Sequence, residues 1–260
     1  MKYSAVILTR NEQHNIAECI GNLQPLANEV IVVDDYSADD TPNIAADLGA
    51  IVFQRPLNNN WAEQRDFGME ITASPWVLMV DADERFDSLA HKSLTEFNPI
   101  NGVRAASFIR RSHFNGRPLN HFRYKGDPQF RALHSNVRYM PTRPVHELPD
   151  LVEGETIRLP GQIEHYWHLD TKELFSKWKR YSEIEGRMLA EKSQRPLPVK
   201  IVRHLARIPI EQAYLDGWAG IVNVAGEVYG DIIHARARKN AIRELTANNI
   251  SALPSLLIPN

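Results

Sequence analysis

Along the first hundred residues, short apolar runs alternate with stretches whose apolar positions recur every three or four residues. "YSAVILT" (3–9), "EVIVV" (29–33), "AIVFQ" (50–54) and "WVLMV" (76–80) are rich in β-branched residues and read as buried strands. Between them, residues 11–23 place Ile16, Cys19, Ile20 and Leu23 on one helical face. Residues 41–48 form a second predicted helix, with Pro42 in its first turn, a favoured position for proline. A third spans 61–71. Strand and helix alternating at this spacing predict right-handed βαβ units and a parallel sheet.

The pattern changes after residue 100. Residues 104–119 read as a strand and a turn, and 172–192 as a helix rich in both charges. Residues 211–239 carry Leu215, Trp218, Ile221, Val222, Ala225, Val228, Ile232 and Ile233 at helical spacing. Gly217, Gly220, Gly226 and Gly230 weaken that helix by about 1 kcal/mol each, unless they permit close contact with a neighbouring helix. The last fifteen residues are expected to fray. The organisation predicted is 1–100 as a ligand-binding half, 101–170 as a second half, and 171–260 as a helical extension.

Composition narrows the classes. Of 260 residues, 43% are hydrophobic and 24% charged, which is ordinary for a soluble globular protein. The net charge of −2 argues against nucleic acid as a partner. The charge is unevenly placed: residues 1–100 hold 6 Lys and Arg against 16 Asp and Glu, and residues 101–260 hold 24 against 16. Residues 104–143 alone carry nine bases and one acid, Asp127. A single cysteine, Cys19, excludes a disulfide framework and fits a reducing compartment. The first residues resemble no signal peptide, and no apolar run approaches the ~20 residues that cross a bilayer. A cytoplasmic location is expected, with at most peripheral contact with an anionic membrane, to which Lys177, Lys179 and Arg180 or Arg236, Arg238 and Lys239 would contribute.

In parallel sheets, ligands sit at the carboxyl ends of the strands. Here those ends read Thr9-Arg10-Asn11-Glu12, Asp34-Asp35 and Asp81-Ala82-Asp83-Glu84. Asp39 and Asp87 are accounted for as helix caps; three acidic strand ends together are not. The glycine patterns of dinucleotide folds and P-loops, and the G-x-S-x-G of nucleophile elbows, are absent. His165 and His168 in "HYWH" lack the companions of a zinc site. Clustered carboxylates call for something positive among them. A D-x-D at a strand end suits Mg²⁺ or Mn²⁺, which take a carboxylate or two together with substrate phosphates. It also occurs in phosphatases of the haloacid dehalogenase type, where the first Asp is the nucleophile, although those place the motif on their first strand and follow it with D-x-[TV].

"VILTRNEQHNIAECI", "EVIVVDDYSADDT", "NWAEQRDFGMEITASPWVLMVDADE" and "VHE" together resemble the glycosyltransferase family 2 pattern. "YSEIEGRML" and "YLDGWAGIV" are similar to the subgroup that includes lipopolysaccharide core β-glucosyltransferases. The resemblance implies a GT-A fold, which is α/β with a Rossmann-like, mostly parallel sheet flanked by helices, here with a helical C-terminal extension. It implies a nucleotide-sugar donor (a UDP-sugar favoured), a divalent cation, a saccharide or glycolipid acceptor and an inverting displacement. It places Asp83 on the metal, with His146 as a further candidate ligand. Thr9, Glu12, Asp35, Arg65 and Asp81 would lie against the nucleotide sugar. Glu147 becomes the candidate base and Asp127 the alternative. The basic second half, including Arg104, Arg110, Arg111, Arg117, Arg123 and Arg131, is expected to face an acceptor bearing phosphates or acidic sugars. A nucleotide-sugar-binding protein without catalysis is the remaining alternative.

Overall fold

The computed structural model describes residues 2–99, 102–121, 127–140, 148–152, 154–168, 171–188, 190 and 194–251. The chain divides into two compact units, residues 1–169 and 170–260.

The first unit is built on a nine-stranded sheet. Strands β1 (Tyr3–Thr9), β2 (Ala27–Asp34), β3 (Ile51–Gln54) and β4 (Trp76–Asp81) are mutually parallel, in the order β3-β2-β1-β4. The apolar runs of β1, β2 and β4 are continuous because both faces of the sheet are covered there, whereas β3, at its edge, is largely exposed. Tyr3, Ala5 and Ile7 enter one core with α1 (Ile16–Leu23) and α4 (Ser88–Glu96). Val6, Ile31 and Val33 enter the other, with Met69 of α3 (Trp61–Glu70). Helix α2 (Thr41–Asp47) has proline in its first turn, as expected.

Beyond β4 the sheet becomes mixed and runs β4-β8-β6-β9-β5. Strand β5 is Glu84–Phe86, β6 is Ala105–Phe114, β8 is Asp127–His134 and β9 is Thr156–His168; β7 (Arg117–Pro118) pairs with the end of β6. β8 lies antiparallel to both β4 and β6, β9 is parallel to β6, and β5 is antiparallel to β9. A parallel half thus continues into a mixed second half.

The first helix is shorter than the periodicity predicts. Residues 11–15 are drawn into the loop after β2 instead: Asn11 N donates to Ser37 Oγ (2.8 Å), Glu12 N to Thr41 Oγ1 (2.8 Å) and Gln13 N to Asp39 Oδ2 (3.2 Å). Short polar side chains compete here with helical hydrogen bonding, and the competition wins. Asp87 caps α4, its Oδ1 accepting from Ala90 N (2.7 Å); Asp39 instead lies one residue before the N-cap of α2, Asp40, and its Oδ1 accepts from Thr41 N (3.1 Å).

The second unit is helical: α5 (Thr171–Met188), α6 (Leu197–Ile210), a 3-10 turn (Ala213–Asp216) and α7 (Gly217–Ser251). The predicted 211–239 helix begins later and runs further than expected, and residues 246–251, expected to fray, belong to it. Gly217 opens the helix at φ 62° with open space around it, but Gly220, Gly226 and Gly230 serve close contact. A Cβ on Gly226 would stand 2.7 Å from Trp178 Nε1, and one on Gly230 2.8 Å from Trp178 Cε3. The indole of α5 therefore lies across a notch in α7. Gly230→Val should lower stability by about 1–3 kcal/mol through overpacking, read as a shift in the denaturant midpoint; an unchanged midpoint would show that the notch is not close-packed.

Candidate functional site

The carboxyl ends of β2, β1 and β4 lie side by side, with Thr9 in register with Asp34 and Leu8 with Asp81. Asp34 is fully buried and holds the turn after β2: it accepts from Thr9 Oγ1 (2.9 Å) and Ser37 N (2.8 Å). Asp35 accepts from Leu57 N (2.9 Å) and pairs with the guanidinium of Arg10. Glu12 accepts from Asn15 Nδ2 (2.8 Å) and so sits against the start of α1. Two non-glycine residues at these strand ends have left-handed backbone, Asn11 (φ 56°) and Tyr36 (φ 47°). Asparagine tolerates this conformation, but for a bulky side chain it is a genuine outlier. The Tyr36 ring is exposed at this edge.

The positive charge beside Asp81 and Glu84 comes from two arginines. Arg65, on α3, places NH2 2.7 Å from Asp81 Oδ1. It does not pair with Asp66, whose carboxylate accepts from Tyr139 N (2.9 Å). Arg131, on β8, places NH2 2.7 Å from Asp81 Oδ2 and forks onto Glu84, with Nε 2.6 Å from Oε2 and NH2 2.7 Å from Oε1. Burial by itself would raise the Asp81 pKa, but Arg65 and then Arg131 outweigh it and hold the carboxyl well below the usual range. Arg85 fixes the turn between β4 and β5 by donating to Ala82 O (2.8 Å), Glu84 O (2.7 Å) and Asn15 O (2.6 Å). With each of its oxygens in an ion pair, Asp81 is poorly placed to be a phosphatase nucleophile.

Glu84, grouped by sequence with the cation site, is therefore a wholly buried counter-charge for Arg131. Asp83 points elsewhere. Its Oδ1 lies 3.4 Å from His165 Nε2, because β5 pairs with β9 in a register that sets Glu84 opposite His165. Tyr166 N donates to Asp83 O (2.8 Å) and fixes the turn. Two donors about 2.1 Å from one divalent ion, in adjacent positions, stand about 3 Å apart, so the Asp83–His165 spacing fits a shared cation. No group of three or more His, Cys, Asp and Glu suited to a metal is present among the described residues. One or two carboxylates with the rest from water and phosphate is the usual magnesium arrangement, and Asp83 supplies one.

Next to His165, Glu164 binds Arg111 (Nε to Oε2, 2.9 Å) and the ring of His113, which packs against Tyr166 with centroids 4.6 Å apart. Burial again works against ionisation of Glu164, and hydrogen bonds from Arg111 and His113 override it, so its pKa is lowered.

Asp127 is forked by Arg110, with Nε at 3.1 Å and NH2 at 2.7 Å from Oδ2. Glu147 and His146, together with Arg123, lie outside the described residues. Of the arginines expected to face an acidic acceptor, four have partners within the fold: Arg104 with Glu155, Arg110 with Asp127, Arg111 with Glu164, and Arg131 with Asp81 and Glu84, while Arg117 on β7 is exposed. Carboxylates on β4, β5, β8 and β9 and just before β9 thus pair with four of the bases that read as free positive charge in the sequence.

A parallel α/β half that ends its fourth strand in D-x-D and continues into a mixed half is the GT-A fold. The model of the family described as glycosyl transferase family 2 matches residues 4–148, more than half of the chain. The chain belongs to glycosyl transferase family 2. It is 28% identical over 210 residues to the lipopolysaccharide core biosynthesis glycosyltransferase LpsC of Rhizobium meliloti, covering 76% of each chain. It is 42% identical over 83 residues to an uncharacterized glycosyltransferase of Rickettsia typhi, a match covering 32% of this chain and 28% of that one. The match thus spans less than a third of the Rickettsia relative's length. Among solved structures, glucosyl-3-phosphoglycerate synthase from Mycobacterium tuberculosis, in complex with Mn²⁺, UDP and glucosyl-3-phosphoglycerate, is 22% identical over 44% of each chain with a TM-score of 0.35. A likeness that slight carries nothing about this chain's chemistry.

Proposed function

We propose that the protein transfers a sugar from a nucleotide-sugar donor, a UDP-sugar favoured, to a saccharide acceptor with inversion at the anomeric carbon, and that the acceptor belongs to the lipopolysaccharide core class named for LpsC. The observation that carries the reading is Asp83 beside His165 at the end of β4, next to an Asp81 already neutralised by two arginines. Asp83 and His165 would hold Mg²⁺ or Mn²⁺, with His146 a further candidate. The bound cation would act as a Lewis acid on the diphosphate leaving group. Asp81, fixed by Arg65 and Arg131, would accept from the donor's ribose, and Arg65 would lend positive charge beside the phosphates. Thr9, Glu12 and Asp35 would border the base, with Tyr36 exposed at the same edge. An inverting transfer also needs a group to take the acceptor's proton on the face opposite the leaving group. Glu147 is that base in this reading, and Asp127 is next.

Thermal stability with UDP, GDP and their sugars, with and without Mn²⁺, tests the donor site. A ligand at a hundred times its Kd stabilises the native state by about 2.7 kcal/mol, so the cognate nucleotide should raise the midpoint only when the metal is present. No rise with any of them would sink the donor assignment. Nucleotide release that requires an acceptor separates a transferase from a protein that only holds the donor. Loss of transfer in Glu147→Gln but not Asp127→Asn would assign the base.

A further inference from the structure

Helix α6 is built inside out. Lys200, His204 and Arg207 face α7. His204 is buried with Nδ1 2.8 Å from Glu227 Oε2 and Nε2 2.8 Å from Asp231 Oδ2, and Lys200 Nζ lies 3.2 Å from Asp231 Oδ1. Arg207 forks onto Glu211 and lies 3.9 Å from Glu227. Leu197, Ile201 and Ile208 are half-buried, and the other large apolar side chains point outward. Val202 is 65% exposed and Ile210 76%, with Val199 and Leu205 also exposed. Tyr214 and Leu215 of the 3-10 turn extend the surface, and Trp218, at the start of α7, is 73% exposed. A helix on a protein surface normally turns its apolar stripe to the core. A contiguous exposed apolar patch marks an interaction site.

The chemistry around the patch says what covers it. Residues 194–210 hold four bases, Arg195, Lys200, Arg203 and Arg207, and no acid. Lys200 and Arg207 are tied to carboxylates, while Arg195 and Arg203 are exposed. Tyr214 and Trp218 are rings with a polar tip, the kind that settle at the headgroup level of a bilayer. A helix with an apolar face and basic flanks lies in the plane of a membrane interface. Among the described residues no helix is long and apolar enough to cross a membrane. A second copy of the chain would bring the same exposed bases to the contact; an anionic lipid surface supplies their counter-charge.

We propose that α6, the 3-10 turn and Trp218 form a docking surface for an anionic lipid bilayer, with Val202, Ile210 and Trp218 seated among the headgroups. The surface is argued from the helical unit alone and stands or falls apart from the sugar-transfer reading.

The test is sedimentation of the full chain with vesicles of three parts phosphatidylcholine to one of phosphatidylglycerol, and with phosphatidylcholine alone. The protein should pellet with the mixed vesicles, and roughly tenfold less with the neutral ones. The variant Val202→Glu/Ile210→Glu/Trp218→Ser should bind at least roughly tenfold more weakly with an unchanged helical signal. Should that variant misfold, quenching of tryptophan emission by brominated acyl chains, present in the wild type and reduced in Trp218→Phe, decides the same point. The proposal is overturned by failure to bind the mixed vesicles, by undiminished binding of the triple variant, by equal quenching in Trp218→Phe, or by a solution dimer that the triple variant dissolves.

Discussion

Arg131→Leu is expected to remove about 3–5 kcal/mol of folding stability, the cost of breaking a buried ion pair from one side. Arg131 is the buried partner of both Asp81 and Glu84, and Glu84 has no access to solvent. The leucine would fill the space and leave Asp81 with Arg65 and the buried Glu84 with only the more distant Arg110, 3.8 Å away. Denaturant unfolding followed by circular dichroism reads the loss directly, and a change below about 1 kcal/mol would refute the network's structural weight. Replacing Glu84 as well should recover part of the loss, because paired removal of buried charges is far less costly than removal of one. The pH dependence has a definite sign. Asp81 is depressed in the folded state, so its contribution is full above the unfolded carboxyl value of about 3.9 and is lost as pH falls through the lower folded value. Wild type should therefore weaken below about pH 4, and the variant's deficit should narrow over the same interval.

Asp83→Asn is the counterpart: a large loss of activity with little change in stability. Removing one electrostatic stabiliser of a transition state costs about 10²–10³ in rate, and transfer should fall by at least that much. The turn itself is held by backbone groups, Tyr166 N on Asp83 O, and by Arg85 on Ala82 O and Glu84 O, none of which the substitution touches. The thermal midpoint without ligand should stay put, while the metal-dependent rise with nucleotide should vanish. His165→Gln should raise the Mn²⁺ concentration needed for that rise. Full transfer by Asp83→Asn in limiting metal would remove Asp83 from the cation.

The parallel half was legible because β1, β2 and β4 are buried on both faces and so read as unbroken apolar runs, with helical periodicity between the strands. Strand β8 was not, because "DPQFRALH" carries a proline and an arginine and reads as a basic loop. Arg131 is accommodated in a buried strand because its counter-charges, Asp81 and Glu84, come from the neighbouring β4 and from β5, 50 and 47 positions away in sequence. Strand β9 contains Pro160 and Gly161, which mimic a turn. Gly161 is there because it has φ 100° and passes within 2.2 Å, at the place of a Cβ, of Ala90 N at the start of α4. The cap of that helix, Asp87, was visible; the nine-residue helix behind it was not. In the site, the acidic strand ends were legible as a cluster but their division of labour was not. His165 lies 82 positions from Asp83 in sequence, and only the β5–β9 register makes them neighbours.

The Arg131 bridge also bears on how the chain can be cut. A fragment ending at residue 100 would keep all four parallel strands and every acidic strand end, yet it would lack β8. Asp81 and Glu84 would then have Arg65 as their one remaining guanidinium from this network. The half that reads as a self-sufficient nucleotide fold thus borrows its charge balance from the half that follows it. Expressed by itself, such a fragment should be recovered unfolded at neutral pH, and co-expression with the missing strands, rather than added ligand, is what should rescue it.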